Sequence, residues 1–205
     1  MLSGQLFPQK KNNSFRVHMN QPIVISHMAK KIFSLLPKDK EQEIVTVCIG
    51  TDRSTGDSLG PLVGTKLLER GFNQFSTYGT LKEPVHAKNL EDIISQIQVN
   101  HHNPFIIGID ACLGRSSSVG YLTIGEGPVR PGAAVNKQLP AIGDIHITGI
   151  VNVNGFMEMM VLQNTRLSLV MEMADIISRA IVRSARWQSV TPNWLEQTLK
   201  RENYI

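Results

Sequence analysis

The chain has 205 residues, 41% hydrophobic and 19% charged, which suits one well-buried domain and excludes extensive disorder away from the ends. A net charge of +4 permits contact with nucleic acid, but the lysines and arginines are scattered and form no basic stripe interleaved with aromatics. Nucleic acid is therefore not an expected partner. No apolar run reaches the roughly 20 residues that cross a bilayer, so no membrane span is expected. Cys48 and Cys112 lack CxxC or Cys/His spacing, which argues against zinc or a disulfide framework. With no signal-peptide pattern at the amino terminus, a reduced, cytoplasmic protein is the expectation.

Residues 1–21 are polar, carry Lys10-Lys11-Asn12-Asn13-Ser14 and show no sustained period, and they read as an amino-terminal arm. Residues 22–186 read as a single α/β domain, and 187–205 as a carboxyl-terminal tail. From Pro22 to Leu36 the spacing of Val24, Met28, Ile32 and Leu35 predicts a helix that packs on the core. Ile44 to Ile49 is a β-branched run closed by Gly50 and reads as a buried strand. The loop Thr51-Asp52-Arg53-Ser54-Thr55-Gly56-Asp57-Ser58 follows, and an apolar helical pattern from Leu59 to Leu68 ends it. Strand-to-helix loops at the carboxyl ends of parallel strands are where open α/β sheets place their sites, so Asp57 is a candidate.

Phe75 to Tyr78 is a short strand, and Leu90, Ile93, Ile94 and Ile97 form a helix that Asn89 is expected to cap. His101 and His102 read as a solvated turn and not as a metal pair. Phe105 to Cys112 is a second buried strand that runs into an acid, Asp110. In a parallel sheet Asp57 and Asp110 would face one crevice. Taken singly, either aspartate could instead cap a helix or turn. Val119 to Ile124 reads as a strand, and Pro131 to Lys137 as a small-residue loop whose Asn136 and Lys137 could meet a substrate. Asp144 to Val153 alternates as a strand, with His146 half-exposed and not a ligand. Two helices follow, over 156–162 and 167–181. Met157, Met159, Met160, Met171 and Met173 are expected to fill core, although exposed methionines would mark an adaptable partner surface. Trp187 and Trp194 would clamp the tail to the body or to another subunit, which leaves a homo-oligomer open. The whole reads as a three-layer, mostly parallel twisted sheet with helices on both faces.

Three segments resemble one superfamily, that of the germination protease of bacterial spores and the hydrogenase maturation endopeptidases. Gly50 followed by Asp57-Ser58-Leu59-Gly60-Pro61 is similar to the first acid motif, Ile107-Gly108-Ile109-Asp110-Ala111 to the second, and Pro131 to Lys137 to a loop of the spore protease. Overall the chain is similar to the YyaC-type sporulation proteins. Cys48 and Thr51 stand where the pattern has a glycine and an asparagine, and the Pro131 to Lys137 loop lacks the endopeptidases' metal-binding histidine. The resemblance implies a phosphorylase/hydrolase-like fold and a peptide or protein substrate. It also implies a cytoplasmic place in the mother cell or forespore of a spore-forming bacterium. Asp57 and Asp110 would be the catalytic pair, with Thr51, Asn136 and Lys137 binding substrate.

The paired acids could work directly, one protonated and one ionised, or together hold a divalent metal ion. A catalytically inactive peptide- or partner-binding protein of the same fold is the alternative. A phosphate loop over Gly50 to Gly60 is disfavoured, because no Gly-Lys-Ser/Thr ending is present and Asp57 would repel phosphate at the helix start.

Overall fold

A computed structural model describes residues 14–131 and 139–190. Its strands are β1 (Phe15–His18), β2 (Ile44–Cys48), β3 (Ser76–Tyr78), β4 (Phe105–Gly114), β5 (Tyr121–Glu126) and β6 (Ile145–Val153). The helices are α1 (Val24–Leu35), α2 (Leu59–Glu69), α3 (Leu90–Asn100), α4 (Glu158–Gln163) and α5 (Leu167–Val190). The strands form one sheet in the order β1-β5-β6-β4-β2-β3. β3, β2, β4 and β6 run parallel, while β5 is antiparallel to both β6 and β1. The protein is thus α/β with a six-stranded, mostly parallel mixed sheet.

All five residues of β2 are buried, as a central parallel strand covered on both faces requires. Its alternate side chains enter two separate cores. Ile44 and Cys48 pack with Ile107 and Ile109 of β4 against α1, α2 and α5. Val45 and Val47 face the other way, toward Leu90 and Ile97 of α3. Three helices therefore cover the first face, and among the described residues α3 is the helix packed on the second. Beyond α3 the second face stays partly open. Along β6, His146, Thr148, Ile150 and Asn152 are half-buried while their neighbours Ile145, Ile147, Gly149 and Val151 are buried.

Several expectations change in the folded chain. Phe15–His18, read as part of an arm, is an edge strand, with Phe15 and Val17 turned onto the first core. Four residues are too few for a period to declare itself. Asn89 makes no cap hydrogen bond; its side chain instead accepts from the His86 N–H at 2.8 Å and donates to the Pro84 carbonyl at 3.0 Å. The His101 ring is mostly covered, with Nε2 against the Tyr78 hydroxyl at 3.1 Å and Nδ1 against Glu43 at 3.3 Å. Met173 is core, but Met157, Met159, Met160 and Met171 are exposed. Trp187 lies within α5 and packs edge-on against Phe33 with centroids 6.2 Å apart, so this residue is tied to the body. Trp194 lies outside the described residues.

Candidate functional site

The connection from β2 to β3 moves one way along the sheet, and that from β3 to β4 returns across β2. The point between β2 and β4 is therefore a topological switch, where crossovers diverge and leave a crevice at the carboxyl ends of the strands. Ile49 N–H donates to the Ile109 carbonyl at 2.7 Å, so β2 stays beside β4 up to the level of Asp110. There the chain leaves the sheet through Gly50, at φ 141°, and folds back so that Thr51 N–H donates to the Asp57 carbonyl at 3.1 Å. A short 3-10 turn, Gly56–Ser58, then carries Asp57 into α2. That turn is braced from outside. A β-carbon on Gly56 would lie 2.7 Å from Leu162, in the last turn of α4, and 2.8 Å from Thr165, in the link from α4 to α5.

Asp57 and Asp110 line one cavity of about 770 Å³, together with Thr51, His86, Cys112 and His146. Neither aspartate is a helix cap: the 3-10 turn and α2 have no side-chain cap bond, and Asp110 lies inside β4. Asp110 is 8% exposed, and its carboxylate accepts the Ala111 N–H at 2.8 Å. Burial pushes its carboxyl well above the usual carboxylate range, and the charge of Asp57 pushes it further, against a smaller opposing pull from Ala111 N–H. Burial also raises Asp57, but the nearby His86 and the Thr51 N–H draw it back toward ionisation. The two carboxyls repel through the cavity, and of the two Asp110 more readily keeps the proton.

His86 is the residue that sequence reasoning missed. Val85 pairs with Ile49, and its carbonyl accepts Gly50 N–H at 2.8 Å, so the loop after β3 is pinned against the loop that carries Asp57. Asn89 holds the same loop from the other side through His86 N–H. The His86 Nδ1 is buried without a hydrogen-bond partner, which leaves polar capacity for a bound molecule. The signal that marks Asp57, a loop between a parallel strand and its crossover helix, marks residues 79–89 equally.

His146 and Thr148 share the second face with Asp110, since Gly108 pairs with His146 and Asp110 with Thr148. His146 is on the cavity wall, and its Nδ1 donates to the Gly127 carbonyl at 3.0 Å. Asp52 is exposed on the rim. Thr51 lines the cavity and its hydroxyl accepts Arg53 N–H at 3.3 Å. Asn136 and Lys137 lie outside the described residues. Among the described residues no group of three or more His, Cys, Asp or Glu side chains is arranged to hold a metal ion; Asp57 and Asp110 could contribute two oxygen ligands. Among the described residues no helix is long and apolar enough to cross a membrane.

The family described as a protein of unknown function (DUF1256) matches residues 16–180. An uncharacterized protein of Bacillus subtilis (strain 168), YyaC, is 48% identical over 200 residues, covering 97% of this chain and 98% of the relative. The match runs from β1 through most of α5 and so takes in both aspartates and His86, and the chain belongs to the DUF1256 family.

Proposed function

We propose that this protein hydrolyses peptide bonds, with Asp57 and Asp110 as its acid pair. One observation supports this above the others: an aspartate from the crossover after β2 and an aspartate from within β4 share a cavity at the topological switch, with environments that separate their ionisation. In this reading Asp57 is the carboxylate and Asp110 the carboxylic acid. Asp57 takes a proton from a water whose oxygen attacks the substrate carbonyl carbon. Asp110 gives its proton to the leaving nitrogen as the carbon–nitrogen bond breaks. The proton gained by Asp57 and lost by Asp110 is then re-exchanged through solvent. His86, beside Asp57, favours the ionised partner. A divalent ion on the two carboxylates would supply Lewis-acid activation of the same water instead. The phosphorylase/hydrolase-like fold, membership of the spore and hydrogenase protease superfamily, a cytoplasmic location and a role in spore formation belong to this same proposal.

The test is a proteome-derived peptide library incubated with the pure protein, with and without added divalent metals, and read by mass spectrometry. The wild type generates new termini; Asp57→Asn and Asp110→Asn, shown folded by circular dichroism, generate none. Cleavage that survives both substitutions removes the acid pair from the mechanism. A second reading, a binding protein without catalysis, is favoured by the apolar ledge beside the cavity. Phe156 is 97% exposed, and Met157, Met159 and Met160 are exposed with it. That reading gains if the wild type cleaves nothing but retains peptides.

A further inference from the structure

The register of the sheet places four polar side chains in one row. Arg16 pairs with Thr123, Thr123 with Thr148, and Thr148 with Asp110. All four belong to the second face, because Phe15 and Val17 on either side of Arg16, and Leu122 and Ile124 on either side of Thr123, pack into the first core. Next to this row His18 pairs with Tyr121. The Arg16 guanidinium lies 4.2 Å over the Tyr121 ring, and the His18 ring meets the same tyrosine edge-on at 5.0 Å. Arg16 is exposed, and among the described residues no carboxylate pairs with it. Its charge still reaches the cavity wall, where it draws the Cys112 thiol downward against the larger effect of burial.

Apart from the recessed Asp110, the charged and titratable side chains that β1, β5, β6 and β4 turn to this face are Arg16, His18, Tyr121, His146 and Cys112. The face is therefore a half-open floor, cationic or neutral, that leads into an acidic pocket. We infer that it is the recognition surface for an extended acidic segment of the substrate, with Arg16 taking a carboxylate. The inference rests on the peptidase reading for the place of the scissile bond. From Arg16 to Asp110 there are three inter-strand steps of about 4.8 Å, or roughly 14 Å. An extended peptide advances about 3.3 Å per residue, so the acidic side chain belongs about four residues from the bond cleaved. A guanidinium fixed over a ring is pre-organised for such a planar partner, which a flexible lysine would not be.

The experiment uses the full-length Asp110→Asn chain as bait for a displayed library of random decapeptides. Selected peptides are re-measured by fluorescence anisotropy against the same chain carrying Arg16→Gln or Arg16→Glu. Enrichment of Asp or Glu is expected, with binding weakened tenfold or more by Arg16→Gln and acidic preference replaced by basic preference in Arg16→Glu. No acidic enrichment, or enrichment that Arg16→Gln leaves intact, overturns the inference. Displacement of the peptides by a single-stranded oligonucleotide at lower concentration also overturns it, in favour of a phosphate ligand. The same peptides are then offered to the wild type. Arg16-dependent binding without cleavage rejects the peptidase reading and keeps the surface, whereas cleavage without acidic preference does the reverse.

Discussion

The backbone of Asp57 lies directly on Gly50: a β-carbon built on Gly50 would stand 1.9 Å from the Asp57 carbonyl oxygen. The contact closes the loop that brings Asp57 back to the end of β2. It is possible because residue 50 has no side chain and holds φ at 141°.

Gly50→Ala is therefore expected to act on Asp57. The substitution imposes a disfavoured backbone conformation, which alone costs roughly 1–3 kcal/mol, and a collision that adds to it. Urea unfolding measures that cost, and peptide cleavage should fall by more than the stability loss explains. Unchanged activity in a folded Gly50→Ala protein would contradict the role given to this contact.

The raised carboxyl of Asp110 makes a signed prediction about stability. Its folded-state value lies above the unfolded one of about 3.9, so the stability it contributes is complete below that pH and is lost as pH rises through the folded value. Asp110→Asn removes the loss. Near neutral pH the variant should be more stable than the wild type while inactive, with the difference shrinking toward pH ~4. Thermal melts across this range check it, and a variant less stable than the wild type at neutral pH would refute the burial account.

Cleavage rate against pH should rise as Asp57 ionises and fall as the pair loses its shared proton, the two limbs belonging to the coupled pair. Removing His86 takes away a group that favours the Asp57 carboxylate. In His86→Ala the rising limb should move to higher pH, with the falling limb little changed. A His86→Ala profile that superimposes on the wild type would show that His86 does not act through Asp57.

Burial pushes the Cys48 thiol up to about 12 and the Cys112 thiol up to about 11, so neither supplies thiolate near neutral pH. Iodoacetamide at pH ~8 should label neither in the native protein and both in urea. Rapid native labelling of Cys112 would mean that its cavity wall is more open and more polar than its surroundings indicate.

What the sequence revealed follows from how locally each feature is encoded. β2 and the first half of β4 are short, largely apolar runs rich in Ile and Val, and each leads to its acid, so the central sheet and both aspartates were legible. His86 was not: its loop carries the same strand-to-helix signal, but nothing in Pro84-Val85-His86 singles out the histidine within it until Val85 pairs with Ile49 and sets the loop beside the one that carries Asp57. The methionines failed differently: their helical spacing is real, but spacing does not say whether a face meets core or solvent. Met173 meets core, and Met159 does not. The polar row from Arg16 to Asp110 exists only in the register of strands distant in sequence.

The pairing of β1 with β5 has a consequence for how the chain is made and cut. β1 leaves the ribosome early, yet its partner, Tyr121–Glu126, emerges only after strands β2, β3 and β4 and helices α1, α2 and α3. Until then β1 has no edge to join, and afterwards it shields the open edge of β5. Removal of residues through His18 would uncover a row of unpaired backbone groups on β5, and the shortened chain should pair through that edge with another copy of itself.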